Sequence, residues 1–92
     1  MNQKKNVVNT NQLDPDYLSE LASSIPVGSR CKLQNGARGT VCFVGKIPDL
    51  GAGYFTGVRL DEPYGNSNGK VKGVQYFEAE NKYGQFVRPN EL

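Results

Sequence analysis

The sequence predicts an all-β fold, a small open antiparallel barrel or roll, behind a polar tail and one short helix. Three observations lead there. All 11 glycines fall between Gly28 and Gly84, and all four phenylalanines between Phe43 and Phe86. Between those glycines run short β-branched and aromatic stretches bounded by turn residues. The chain has 92 residues, enough for one small domain whose core depends on few aromatics. The expected division is a polar tail and linker helix over 1–25 and the folded domain over 26–92.

The elements follow in chain order. "MNQKKNVVNTNQ" is polar and Asn-rich, with no apolar run, and reads as a disordered start. "DPDYLSELASSI" (14–25) is the helical stretch: Asp14 can cap, Pro15 suits the first turn, and Tyr17, Leu18, Leu21 and Ile25 recur at helical spacing. "RCKL" (30–33) alternates, "QNGARG" carries the hairpin signal Asn35-Gly36, and "TVCFVG" (40–45) is the returning strand. A bare two-residue turn would pair Cys31 with Thr40 and put Val41 and Phe43 on the face of Arg30 and Lys32. An odd-length loop or a bulge is therefore expected, gathering Cys31, Leu33, Val41 and Phe43 on one face. "KIPDLGAG" (46–53) is a loop. "YFTGVRLDEP" (54–63) is a strand broken by Gly57, and "YGNSNG" (64–69) is another loop. "KVKGVQYFEAE" (70–80) reads as one strand with Gly73 inside it, "NKYG" (81–84) as a turn and "QFVRP" (85–89) as a last short strand.

Composition narrows the function. Net charge is +2, with nine Lys/Arg against six Asp/Glu from Ser23 onward. A mildly basic domain fits a short acidic ligand better than duplex nucleic acid. No stretch has the length of a signal peptide or a membrane span, so a cytoplasmic protein is expected. With no histidine and only Cys31 and Cys42, neither a metal site nor a cofactor is expected, and the two cysteines read as reduced thiols. No nucleophile has a general-base partner. Asp61 and Glu62 are strand neighbours that point to opposite faces, so no catalytic residue and no enzyme is expected.

The binding residues are more suggestive. Gly65, Asn66, Ser67, Asn68 and Gly69 form a glycine-flanked polar loop, which reads either as a plain turn or as a backbone cradle for an anion. Phe55, Tyr76, Phe77 and Phe86 are core aromatics or groove walls. On a regular strand Tyr76 and Phe77 cannot both face inward. Beside Lys70, Lys72 and Arg88 an exposed aromatic would make an apolar, basic slot for a peptide with an aromatic or carboxylate end. Lys70 and Lys72 are expected to share a strand face with Tyr76.

These residues resemble the CAP-Gly domain of microtubule-associated proteins. The resemblance rests on Gly39-Thr40-Val41, Phe55-Thr56-Gly57-Val58, Asp61-Glu62-Pro63, Gly65 to Gly69, Gly73-Val74-Gln75-Tyr76-Phe77 and Gly84-Gln85-Phe86-Val87, in order over about residues 26–92. "SSIPVGSRC", "GVRLDEPYG" and "KYGQFVRP" are similar to the tubulin-folding cofactor B branch of that family, in which such a domain follows other segments, so this chain would be a fragment of a longer protein. The resemblance implies a twisted, SH3-like β domain that grips acidic C-terminal tails ending in Glu-Glu-Tyr, such as that of α-tubulin. It further implies pairing with tubulin-folding cofactor E and a cytoskeletal location. It places the groove at Phe55, the loop residues Asn66 and Ser67, and the last strand. Three positions depart from the family pattern: Phe55 stands for Trp, Asn66-Ser67 for Lys-Asn, and Gln75 for Arg. The usual carboxylate anchor is thereby largely neutral. A CAP-Gly scaffold with a weakened groove and a single-stranded nucleic-acid barrel are the alternatives.

Overall fold

A computed structural model describes residues 14–92; the predicted disordered start lies outside them. Six strands and little helix make up the domain: α1 (Ser19–Ser23), β1 (Arg30–Lys32), β2 (Arg38–Lys46), β3 (Tyr54–Leu60), β4 (Lys70–Val71), β5 (Val74–Gln75), β6 (Gly84–Val87) and a closing 3₁₀ turn, Pro89–Glu91. β1, β2, β3 and β6 form one antiparallel sheet in the order β1-β2-β3-β6, and β4 and β5 form a separate two-stranded hairpin. The fold is the small twisted antiparallel β domain that the sequence predicts.

Register decides which side chains meet. The β1–β2 connection is the odd-length loop expected: Leu33 N–H donates to the Ala37 carbonyl at 2.8 Å, leaving Gln34, Asn35 and Gly36 in the turn. Cys31 then pairs with Gly39, not with Thr40 or Val41. The parity is still the one that puts Cys31 and Leu33 on the core face. There Leu33, Val58 and Leu60 are buried, with Cys31, Ala37, Val87 and Leu92 against them.

A bulge at Cys42 separates Val41 from Phe43. Val41 pairs with Val58 but Phe43 pairs with Gly57, so one extra residue sits on β2 between them. Val41 is buried on the core side. Phe43 is turned to the other face, which corrects the expectation that the two share one. Both cysteines are free thiols.

Three further elements differ from their sequence reading. β3 is continuous through Gly57 rather than broken by it. Residues 70–75 are not one strand but a hairpin, turning at Lys72 (φ 49°) and Gly73 (φ 84°). A two-residue turn with both φ positive is the type I′ geometry that suits strand twist. The helix is also shorter than 14–25. Asp14 caps a single turn through its side chain, which accepts the Asp16 N–H at 2.9 Å. Leu18 then takes φ 65°, and regular helix begins only at Ser19. Ala22 of α1 is buried against the domain.

Candidate functional site

β3 divides the domain. Thr56, Val58 and Leu60 point to the core, so Phe55, Gly57 and Arg59 point to the opposite face. Gly57 lies between Phe43 on β2 and Phe86 on β6. A side chain at Gly57 would overlap the Phe77 ring, so the glycine is what lets Phe77 approach the sheet so closely. Phe77 and Phe86 then meet edge to face at 5.2 Å, Tyr76 and Phe86 at 6.1 Å, and Phe43 and Tyr76 at 5.2 Å. Each such pair contributes about 0.5–1.5 kcal/mol beyond its area. Tyr76 and Phe77 both join this cluster. The strand ends at Gln75, so the alternation that would send one of them outward does not apply.

Phe55, by contrast, takes a cation. The Arg88 guanidinium carbon stands 4.0 Å from the Phe55 ring centroid, and Phe55 is 8% exposed beneath it. Arg88 is held on every side. Its Nη1 donates to the carbonyls of Ala52 (2.7 Å) and Tyr54 (3.2 Å), and its backbone N–H donates to the Glu91 carboxylate at 2.8 Å. A guanidinium has five N–H donors in a planar fork. Those of Nη2 and Nε make no hydrogen bond among the described residues, so a charged, fixed fork keeps unused donors over an aromatic floor.

The glycine loop is bound to its own neighbours. Gly65 N–H donates to Lys82 O at 2.7 Å, and the N–H groups of Asn66 and Ser67 both donate to Gly84 O at 3.1 Å. Gly84 N–H returns to Ser67 O at 2.8 Å. Gly69 N–H donates to the Ser67 hydroxyl and Lys70 N–H to the Asn68 side chain. With four of the loop's five N–H groups engaged within the domain, those of Gly65, Asn66, Ser67 and Gly69, the loop is a brace more than an open anion cradle. Gly69 is required here, because any side chain would overlap the Phe77 carbonyl. Gln75 completes the brace: its amide donates to Asn68 O at 3.1 Å and to Phe77 O at 2.6 Å.

Phe55, Phe86 and Arg88 thus share the outer sheet face with Tyr76 and Phe77, and the loop 65–69 is stitched to Gly84 at the foot of β6. Asn66 and Asn68 are exposed. Lys70 and Lys72 are exposed too, but Lys72 sits at the hairpin turn and β4 reverses before Tyr76, so they do not share a strand face with it. The concavity of about 200 Å³ bounded by Ala37, Arg38, Leu60, Asp61, Glu62 and Tyr64 contains none of the predicted binding residues. Beside it, Arg30 clasps Asp61 with both guanidinium ends, which holds the Asp61 carboxyl below the usual carboxylate range. Burial pushes the Cys31 thiol up, away from the reactive thiolate. No cluster of metal-ligating side chains occurs among the described residues.

Sequence reasoning missed two participants. Phe43 was placed on the wrong face by an unseen bulge. Tyr17, read only as a position on a helix face, lies 5.0 Å from the Arg88 guanidinium and accepts the Tyr54 N–H at 3.0 Å through its carbonyl. The signal that bears on it is the run Asp14-Pro15-Asp16-Tyr17, acidic and aromatic together.

The family model described as "CAP-Gly domain" matches residues 27–92. Tubulin-folding cofactor B of Bos taurus is 51% identical over 73 residues, covering 75% of this chain and 30% of the relative. Tubulin-folding cofactor B of Arabidopsis thaliana is 41% identical over 78 residues, covering 84% of this chain and 32% of the relative. The chain therefore spans about a third of the length of these curated relatives. Among solved structures, the CAP-Gly domain of human kinesin-like protein KIF13B aligns with a TM-score of 0.67 at 34% identity, over 73% of this chain and 66% of that one. The Bik1 CAP-Gly domain with an ETF peptide from Bim1 aligns with a TM-score of 0.65 at 28% identity, over 80% and 87%.

Proposed function

The chain belongs to the CAP-Gly domain family, and from that premise we propose that it is a non-catalytic binding module that docks an acidic chain terminus ending in an aromatic residue. The tail of α-tubulin is the partner that fits its cofactor B relatives. The observation that carries the reading is Arg88. Its guanidinium stacks on Phe55 at 4.0 Å, closer than Lys46 lies to Tyr54 at 5.5 Å, is braced by the Ala52 and Tyr54 carbonyls, and keeps donors unused among the described residues. A carboxylate can meet that fork in bidentate fashion, which gives direction as well as attraction. The aromatic end of the ligand meets the neighbouring ring cluster, whose exposed edges belong to Tyr76 and Phe86.

This assignment also accounts for the neutral loop. With Asn66, Ser67 and Gln75 uncharged, the anchoring charge falls to β6 and the loop keeps a bracing role. Support comes from the Bik1 relative, which is described with a peptide on the same fold. A cytoplasmic, cytoskeleton-associated setting is part of the same proposal and is supported by the names of the cofactor B relatives. No helix among the described residues is long and apolar enough to cross a membrane. Pairing with tubulin-folding cofactor E is a proposal that rests on the family resemblance alone.

The test is a backbone NMR titration of the chain with an acidic, Tyr-ended peptide and with its C-terminal amide. Shifts should centre on Tyr54, Phe55, Phe86 and Arg88, and the amide should bind about five- to thirty-fold more weakly, the loss of a charge-assisted hydrogen bond. Equal binding of acid and amide, or shifts centred on Arg38 and Tyr64, would overturn the assignment.

A further inference from the structure

The cation–aromatic floor has an occupant in the chain itself. Tyr17 also packs on Arg88, so the guanidinium contacts two rings, Tyr17 at 5.0 Å and Phe55 at 4.0 Å. The Tyr17 carbonyl accepts the Tyr54 N–H at 3.0 Å, adding a backbone contact at the edge of β3. Gly53 is shaped to this contact: a Cβ there would come within 2.6 Å of the Tyr17 Cβ. Asp16, the residue before, reaches Lys46 at 3.6 Å. Directly after Tyr17 the backbone leaves through Leu18 at φ 65°, a left-handed conformation that a leucine adopts at a cost. An acidic residue followed by tyrosine, held on Arg88, with the chain forced away at once, has the chemistry of the ligand proposed above.

We propose that Asp14–Tyr17 is an internal occupant of the peptide-docking face, which an incoming acidic, aromatic-ended terminus must displace. The inference rests on the tail-binding reading. The segment differs from such a terminus in one respect that makes displacement possible. Tyr17 has no terminal carboxylate, only a carbonyl already engaged by Tyr54, so the unused donors of Arg88 remain available to a true chain end. Release does not require the rest of the segment to leave. Ala22 is 2% exposed in the contact of α1 with the domain, so α1 can stay seated while Asp14–Leu18 swings away. That tether keeps the segment at high effective concentration and lets it return when the ligand dissociates. A site whose competent state is only partly populated binds with an affinity reduced by that fraction.

The experiment uses the whole chain, unaltered and as Tyr17→Ala, with an acidic peptide that ends in Tyr and a free carboxylate. In the unaltered chain the Tyr54 amide should be protected from hydrogen exchange. On titration the Tyr17 ring resonances should leave their docked positions in step with the Phe55 and Arg88 shifts. Tyr17→Ala should keep the dispersed spectrum of a folded domain and bind the peptide about fivefold more tightly. Asp16→Asn should change affinity less than about twofold, because an exposed ion pair contributes little. An unprotected Tyr54 amide in the free chain would overturn the inference. So would equal affinity for the two chains with Tyr17 unmoved on saturation; either result leaves tail binding standing. Peptide binding by neither chain would instead refute tail binding, and the competition with it.

Discussion

Arg88→Lys separates the bracing that the structure shows for this residue from the anchoring proposed for it. Lysine keeps the charge but loses the planar stack and the fork. In the folded domain Arg88 stacks on Phe55 at 4.0 Å and donates to two carbonyls from one nitrogen. An ammonium can retain one of these bonds but not the layered geometry. Losing a hydrogen bond from a charged group and part of a cation–π contact amounts to about 1–2 kcal/mol of stability. For a domain of this size that corresponds to a fall in Tm of roughly 5–15 °C. Peptide affinity should fall independently, by about five- to thirty-fold, as bidentate carboxylate recognition becomes a point-charge contact. Thermal unfolding by circular dichroism reads the first effect, and calorimetry at a temperature well below both transitions reads the second. Arg59→Lys is the control, since Arg59 shares the sheet face but is exposed and makes neither contact. If Arg88→Lys lowers Tm and leaves peptide affinity unchanged, Arg88 is a brace for the 46–53 loop and not an anchor.

Three further outcomes follow from particular contacts. Gly57→Ala should destabilise the domain by about 2 kcal/mol in urea unfolding, because the new methyl displaces Phe77 from the sheet and the overpacking outweighs the gain in strand propensity; an unchanged midpoint would show that Phe77 does not depend on that space. Asn66→Lys with Ser67→Asn should tighten binding of the free-carboxylate peptide by about 1–2 kcal/mol and that of the amide by less, read by calorimetry; equal gains would mean only long-range attraction. Asp61 is held below the usual carboxylate range by Arg30, so its contribution to stability is present above the unfolded value near pH 4 and is lost as pH falls through the lower folded value. As pH falls below about 4 the parent chain should therefore lose slightly more Tm than Asp61→Asn, and parallel losses would show that the exposed pair contributes nothing.

Much of the fold was legible because glycine and proline mark its turns, and because the loop between β1 and β2 had to be odd for Cys31 and Leu33 to face the core. What was not legible lies where one residue changes a count. Nothing in "TVCFVG" says which position is extra, yet the bulge at Cys42 moves Phe43 across the sheet. Nothing in "KVKGVQYF" demands a hairpin instead of a strand until Lys72 is seen at positive φ beside Gly73. Of the candidate site, Phe86 and Arg88 sit on one face, as alternation on a short strand requires.

The bulge and the glycines together explain how so small a sheet has room for the binding face proposed here. A four-stranded sheet with one buried side would leave the other to solvent. Here the parity change at Cys42 supplies Phe43 to the second side, and Gly57 opens a place there for Phe77. Rings from β2, β6 and the segment after β5 then form a second, shallower cluster that buries Phe77 but leaves Tyr76 and Phe86 only partly buried. A cluster that is only partly buried has surface left to give to a ligand, and Arg88 at its border supplies direction. On this account the glycine loop is needed to hold Phe77 and β6 in place, through Gly69 under the Phe77 carbonyl and Ser67 against Gly84. Its side chains can then lose their charge without dissolving the site, which is the condition in which this sequence is found.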